Sequence, residues 1–202
     1  MAPLLKYFKR IFIVFIIITG IVSVSSAQVH VIPAVGLNLS KMKFDLENGD
    51  TSPLTGYQVG ASLRLGNAGF LQIGAFYHQY ANRFEWIDST QTENRTDVTI
   101  NGALIPIQFG FSIYNVDILK VRLMAGIQLG IPTNVKPNEL DLTVDDLNGS
   151  NVEIAVGFGV DIFRLVVDVN FGFAMNDLFA DKALNSGKNL YTLNVGYLIG
   201  KM

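Results

Sequence analysis

The stretch of sequence that decides the fold runs from Ala103 to Ile131 and reads ALIPIQFGFSIYNVDILKVRLMAGIQLGI. It consists of two runs of alternating residues joined by a short turn at Tyr114–Asp117. One face of each run is apolar and includes Phe109 and Leu123, whereas the other face carries glycine, amide and charge and includes Arg122. Side chains alternate across a strand with period two, so both runs are predicted to be β-strands.

The length of these runs indicates what the apolar face meets. Each lasts roughly ten residues or more, which is the length of a tilted membrane-spanning strand, whereas a typical soluble strand has about five or six. The apolar face is therefore predicted to contact lipid. In the alternative, a soluble sandwich or lipocalin-like barrel, the opposite face would meet water and be rich in Lys, Glu, Thr and Ser. Here that face is crowded with glycine, which suits the narrow inside of a small barrel.

The same alternation recurs along the chain and predicts eight strands in total. The six further strands are residues 29–40, 57–65, 71–78, 152–162, 167–176 and 191–200. Eight is an even number and gives the smallest common membrane barrel. The predicted fold is all-β, an eight-stranded antiparallel transmembrane up-and-down β-barrel of the outer-membrane type.

The predicted connections alternate between short and long. The short ones are Gly66–Gly69, Tyr114–Asp117 and Phe163–Arg164, and the long polar ones are Lys41–Thr55, Ala81–Asp97, Pro132–Asn151 and Asp177–Lys188. Outer-membrane barrels combine short periplasmic turns with longer external loops. The pattern predicts that the N- and C-termini are periplasmic and that four loops lie outside the cell.

Residues 1–27 have the three parts of a secretory signal peptide. Lys6, Lys9 and Arg10 provide the positive charge, an apolar core follows at Ile11–Val24, and Ser25–Ala27 resembles a cleavage site. The apolar core is shorter than the roughly 20 residues of a membrane-spanning helix, so cleavage before Gln28 is predicted, with an uncleaved anchor as the alternative. Residues 28–202 then form the barrel domain.

Composition agrees with export and excludes several functions. The chain has no cysteine, so neither a disulfide framework nor a lipid-modified cysteine is available. Loss of the three bases of the signal peptide from the 15 Lys and Arg leaves 12, against 17 Asp and Glu, a net charge of −5. That balance argues against nucleic-acid binding.

Several of these strands resemble a known family. The segments 103–107 (ALIPI) and 122–130 (RLMAGIQLG) resemble the "eiPl" strand and the following glycine-bearing strand of PorT-like outer-membrane β-barrels of the Bacteroidetes. The segments 156–160 (VGFGV) and 193–200 (LNVGYLIG) resemble strand six and the final strand of that family. The resemblance covers essentially all of residues 28–202. It implies a β-barrel fold and a location in the outer membrane of a Gram-negative cell. It is also compatible with a role in secretion machinery. The chain ends Gly200-Lys201-Met202 rather than on an aromatic residue, so the usual terminal assembly signal is expected to be absent or altered.

Charged residues on the inward face are the candidate site. Three bases and three acids have this phase: Arg64, Lys120, Arg122, Glu153, Asp161 and Asp168. The inside of an eight-stranded barrel is just wide enough for side chains to fill it, so these charges are predicted to pair as a structural polar plug. A narrow ion path or another functional lumen is the alternative.

The sequence gives little support for catalysis, and no enzyme and no cofactor are predicted. The two histidines, His30 and His78, face inward, and no G-x-S-x-G motif, metal-ligand spacing or phosphate loop accompanies them. The acids of the third long loop are Glu139, Asp141, Asp145 and Asp146, and they lack the spacing and the glycine of a calcium loop. A solvated acidic loop is predicted there rather than a metal site.

The sequence therefore predicts a non-catalytic barrel with a structural or surface-interaction role through its external loops. The expected partners are outer-membrane lipid, the barrel-assembly machinery and an extracellular or periplasmic protein, and the expected state is a monomer. A lumen or groove that binds a small hydrophobic or ionic ligand is the first alternative, together with an accessory role in secretion. A lipid-modifying enzyme is a weaker alternative.

Overall fold

The computed structural model describes residues 28–42, 49–87, 93–116, 118–175 and 188–200. The predicted signal peptide at residues 1–27 lies outside the described residues, as does most of the fourth predicted long loop. The described part of the chain contains no helix long and apolar enough to cross a membrane.

The described residues form a closed antiparallel β-barrel, which confirms the predicted fold class. Its strands are β1 (Val29–Met42), β2 (Gly49–Gly66), β3 (Gly69–Ile87), β4 (Glu93–Val116), β5 (Leu119–Val135), β6 (Asn151–Ile162), β7 (Leu165–Ala174) and β8 (Lys188–Tyr197). Each of these eight strands pairs with the next in sequence. The sheet closes on itself, because β1 pairs with both β2 and β8. After Leu198 the chain continues in β9 (Ile199–Gly200), which pairs with the start of β1.

The two faces of the strands have opposite character, as the alternation predicts. On β4 and β5, Phe109 and Ile127 point outward and are 69% and 46% exposed, whereas Gln108 and Arg122 are 2% and 0% exposed inside the barrel. A protein surrounded by water rarely exposes so many large apolar side chains in one contiguous patch. The outward face is therefore suited to lipid.

Exposed aromatic side chains form two rows that bound this apolar band. Near the long-loop end, Tyr57 packs against Tyr77 with ring centroids 6.5 Å apart, and Phe171 packs against Tyr191 at 5.9 Å. The row near the short-turn end consists of Phe109, Phe111, Tyr114, Phe163 and Tyr197. Aromatic girdles of this kind lie at the two membrane–water interfaces of transmembrane barrels.

Two of the predicted long loops are largely strand, which corrects their boundaries. Gly49–Thr55 belongs to β2, and the predicted loop Ala81–Asp97 contains the end of β3 and the start of β4. We call residues 49–54, 79–87 and 93–101 the projecting ribbon, because they continue the sheet beyond the row of Tyr57 and Tyr77. At about 3.3 Å per residue, the ten residues that follow Tyr77, up to Ile87, extend roughly 30 Å.

The connection between β5 and β6 is an ordered segment that covers the inner face of the projecting ribbon. We call this segment, residues 136–150, the cap; it contains a single turn of 3-10 helix at Val144–Asp146. Leu147 of the cap is buried in a cluster with Tyr80, Phe84, Val98 and Ile100 of the ribbon. The ribbon thus has its own small apolar core outside the aromatic row.

Truncating Leu147 to alanine is expected to free the cap while leaving the barrel folded. The substitution removes a 6% exposed side chain from the cluster, at a cost on the order of 2 kcal/mol. Opening of the cap should therefore become at least about tenfold more frequent. Limited proteolysis of the membrane-embedded protein would measure this as faster cleavage within residues 136–150.

Leu140→Ala is the matched control, because Leu140 lies on the same segment but is 38% exposed. It should leave the cleavage rate almost unchanged. Equal cleavage of the two variants would contradict the packing of the cap on the ribbon.

Candidate functional site

The inside of the barrel contains a cluster of two arginines and two aspartates near the short-turn end. Arg64 Nη1 donates to Asp161 Oδ2 over 2.8 Å, and Arg122 Nη2 donates to Asp161 Oδ1 over 2.6 Å and to Asp168 Oδ1 over 2.7 Å. Each side chain is less than a tenth exposed. Two positive and two negative charges balance, which is what a buried charge needs in a medium of low dielectric constant.

Neighbouring groups hold the two guanidinium groups in place. Phe70 lies beside both, with its ring centroid 5.1 Å from Arg64 Cζ and 5.7 Å from Arg122 Cζ, within the range of a cation–π contact. Gln72 accepts a hydrogen bond from Arg64 Nε over 2.9 Å. Gly159 leaves room for the cluster, since a Cβ atom there would collide with the side chains of Arg122 and Asp168.

The other two residues of the predicted plug lie outside this cluster. Lys120 is directly across from Asp161 on the neighbouring strand, yet its Nζ donates to Asn67 Oδ1 over 2.8 Å. Glu153 is also buried, at 1% exposure, but it is eight residues before Asp161 on β6, about 26 Å away along the strand. It pairs across the sheet with Gln128. The structure thus brings together four of the six predicted residues.

Side-chain amides fill the middle of the barrel. Gln108 Nε2 donates to Asn170 Oδ1 over 2.9 Å, and Gln58 Nε2 donates to Asn194 Oδ1 over 2.6 Å. A cavity of about 20 Å³ lies among these described side chains, which is room for about one water molecule. An ion that crosses a barrel needs a continuous water-filled path, and these side chains lie in the lumen where such a path would run.

An open cavity of about 340 Å³ lies at the short-turn end, next to the charge cluster. Its polar lining includes His30, Arg64, Asn67, Lys120 and Asp161. Its apolar lining includes Val116, Ile118, Leu119, Phe163 and Leu198. The cavity is the mouth of the barrel at this end, and we call it the mouth cavity.

At the opposite end, local hydrogen bonds fix the conformation of the cap. Asn138 Nδ2 donates to the carbonyl oxygens of Lys136 and Leu142, and Asn138 Oδ1 accepts from the backbone N–H groups of Leu140 and Leu142. The backbone N–H and the hydroxyl of Thr143 both donate to Asp146 Oδ2, and these bonds lower the pKa of Asp146. The acidic loop of the sequence is therefore a structured one.

The outer face of the projecting ribbon is polar. Arg83 and Asp97 face each other across β3 and β4, and the guanidinium group donates two parallel hydrogen bonds to the carboxylate, at 2.8 and 3.1 Å. Exposed pairs of this kind add little stability. An arginine directed at lipid would be costly, so this pair indicates that the ribbon lies beyond the membrane.

The two histidines are buried at different levels of the barrel. His30 is 4% exposed at the mouth cavity, and His78 is 1% exposed beside the ring of Tyr80, with centroids 5.1 Å apart. Among the described residues, no group of three His, Cys, Asp or Glu side chains is placed to hold a metal ion.

Sequence reasoning missed three contributors to the inner site. Phe70 falls just before the predicted strand 71–78, although extending the alternation by one residue would turn it inward. The amide pair of Gln108 and Asn170 has the correct inward phase, but a contact between residues 62 positions apart cannot be read from phase. Asn67 falls in a predicted turn, and nothing in the surrounding sequence marks it as a partner of Lys120.

Comparison with known proteins identifies the fold independently. Residues 25–180 match the family described as outer membrane protein beta-barrel domain. Among curated proteins, none matches this chain.

Solved structures of outer-membrane barrels are similar in fold. The outer membrane protein OprG from Pseudomonas aeruginosa superposes with a TM-score of 0.51 at 8% identity, over 87% of this chain and 97% of that one. Ail, the attachment invasion locus protein of Yersinia pestis, has a TM-score of 0.46 at 15% identity, over 85% and 99%. The outer membrane enzyme PagL has a TM-score of 0.42 at 16% identity, over 82% and 99%. At these identities the likeness concerns the fold alone.

Proposed function

Because the chain belongs to the outer membrane protein beta-barrel domain family, we propose that it is a sealed, non-catalytic barrel that presents the projecting ribbon to another protein. The observation that carries the proposal is the apolar core that Leu147 of the cap forms with Tyr80, Phe84, Val98 and Ile100. A barrel that served only as a membrane plug would have no need of a packed ribbon roughly 30 Å long outside the aromatic row. A preorganised surface binds with a smaller entropic cost than a flexible loop.

The filled interior supports a structural role rather than transport. The four-residue ion cluster and the amide pairs lie in the lumen, and the cavity beside the amide pairs has a volume of only about 20 Å³. Neither histidine faces the lipid outside the barrel, because His78 is buried in the lumen and His30 lies at the wall of the mouth cavity. PagL is an enzyme, but a fold of this kind hosts many functions and does not transfer an activity.

We also propose how the barrel is oriented in the membrane and to which group of barrels it belongs. The ribbon and the cap would face the exterior and the short turns the periplasm, following the rule that outer-membrane barrels keep long loops outside. The motifs at residues 103–107 and 122–130 favour the PorT-like group. A partner belonging to secretion machinery is consistent with that affiliation.

Single cysteines test the orientation, since the chain has none of its own. Glu85→Cys lies on the exposed face of the ribbon, and Ala68→Cys lies in the exposed turn between β2 and β3. A membrane-impermeant maleimide should label Glu85→Cys on intact cells, and should label Ala68→Cys only after the outer membrane is permeabilised. The reverse pattern would place the ribbon in the periplasm.

A photo-activated cross-linking residue at the same two positions tests the interaction. Attachment at residue 85 should give a discrete protein adduct, and its yield should fall when Leu147→Ala opens the cap more often. Residue 68 is the control for non-specific capture. Adducts from position 85 with lipid alone would remove the basis for a surface-interaction role.

A further inference from the structure

The described lining of the mouth cavity carries more positive than negative charge. Two cations and one acid line it among the described residues: Arg64, Lys120 and Asp161. Both carboxylate oxygens of Asp161 already accept hydrogen bonds from guanidinium groups, those of Arg64 and Arg122. The described ion pairs therefore match the two arginines with Asp161 and Asp168, and Lys120 forms no ion pair with a described acid.

The position of Lys120 makes this charge available to a ligand. Its side chain is half-buried at the wall of the cavity, and its Nζ bonds only a neutral oxygen, that of Asn67, among the described groups. An ammonium group has three donors, so two remain for an incoming acceptor. Hydrogen bonds from a charged donor to an oxyanion are about twice as strong as neutral ones.

The shape and the rim of the cavity limit what could bind. Its volume of about 340 Å³ lies at the small end of the range for ligand pockets, roughly 300–1,000 Å³. The rim carries the exposed apolar side chains of Val116, Ile118 and Phe163. Phe163 is held there by a turn in which its φ is 52°, a backbone conformation that non-glycine residues seldom adopt.

We propose that the mouth cavity binds a small oxyanion, a carboxylate or phosphate group whose remaining part is short and apolar, through the Lys120 ammonium. Arg64 supports the site through the positive edge of the ion cluster beneath it. The apolar rim contacts the rest of the ligand. This inference does not depend on the projecting ribbon, so it stands or falls separately from the proposed surface interaction.

Binding is measured by calorimetric titration of the full barrel in nanodiscs of zwitterionic lipid. The probes are inorganic phosphate, butyrate and the uncharged butyramide. The wild-type protein should bind phosphate and butyrate saturably, and it should not bind butyramide. Lys120→Gln should weaken anion binding about tenfold or more, because it removes a charged donor.

Two control variants separate this site from general charge. Lys120→Arg keeps the positive charge and should bind within about threefold of the wild type. Arg164→Gln removes a cation from the same end of the barrel but outside the cavity, and it should also bind like the wild type. A heat-modified shift in electrophoretic mobility confirms that each variant is folded.

The same titration identifies the source of the anion. If nanodiscs with phosphatidylglycerol abolish phosphate binding, a lipid headgroup occupies the cavity; if binding is unchanged, the ligand is a soluble anion. Absence of saturable binding by both anions would overturn the proposal. Equal binding by Lys120→Gln and the wild type would overturn it as well.

Discussion

Replacing Arg122 with methionine is expected to lower the free energy of unfolding by about 3–5 kcal/mol. Arg122 is fully buried and donates to both Asp161 and Asp168, so its loss leaves two carboxylates with one guanidinium group between them. Asp168 loses its ion-pair partner outright. An uncompensated charge in the interior is costly, because little water can reach it.

A double-mutant cycle with Asp168→Asn measures the coupling. The second substitution removes the stranded charge, so the double variant should be more stable than the sum of the two single effects predicts, by roughly 0.5–3 kcal/mol. Reversible urea unfolding from lipid vesicles gives each value. Strictly additive effects would show that the pair is not coupled.

Lys120→Met is the matched control for this cycle. It also removes an inward cation from β5, but one whose hydrogen bond among the described residues is to the neutral Asn67. Its cost should stay below about 1.5 kcal/mol, the upper value for an ordinary hydrogen bond. A loss as large as that of Arg122→Met would mean that any inward cation matters equally, and the described pairing would then be irrelevant.

The pairing itself could not be predicted from the sequence, although the face of each charge could. Alternation with period two places Arg64, Arg122, Asp161 and Asp168 inside, and the structure confirms this burial. Register alone would pair Lys120 with Asp161, its neighbour across the sheet. The longer guanidinium groups reach Asp161 instead, from 39 and 97 residues away in sequence. Contacts across a lumen depend on the stagger of the closed barrel, which no local pattern encodes.

Most of the projecting ribbon falls within the predicted loops Lys41–Thr55 and Ala81–Asp97, because its pattern is reversed. Within the membrane, apolar residues point outward and polar residues inward. In the ribbon the phase of the strand is unchanged, but Tyr80 and Phe84 point inward while Arg83 and Glu85 point outward. The alternating pattern of apolar outward residues therefore ends near Tyr77. The solvent changes there from lipid to water, and the preferred outward side chain changes with it.

The cap could not be anticipated for a different reason. Its anchor, Leu147, lies among acids and polar residues, and no local alternation of apolar residues marks it as buried. Its burial depends on four ribbon residues that are at least 47 positions away. Long-range packing of this kind becomes visible only when the hairpin β3–β4 is known to continue beyond the barrel.

Lipid is expected to cover the band between the aromatic rows and to end before the projecting ribbon. The same substitution at two outward positions tests it. Leu193 is 44% exposed on β8 between Tyr191 and Tyr197, and Thr99 lies on β4 four residues beyond Ala103, the partner of Tyr77. Both positions are on strands and face outward, and arginine is introduced at each.

The free energy of folding into lipid vesicles is the deciding measurement. Leu193→Arg should cost about 2–4 kcal/mol, the penalty for arginine near the middle of a bilayer, and Thr99→Arg should cost about 0–1 kcal/mol. Equal costs at the two positions, or a larger cost at Thr99, would contradict the account, because lipid would then not be confined to the band between the aromatic rows.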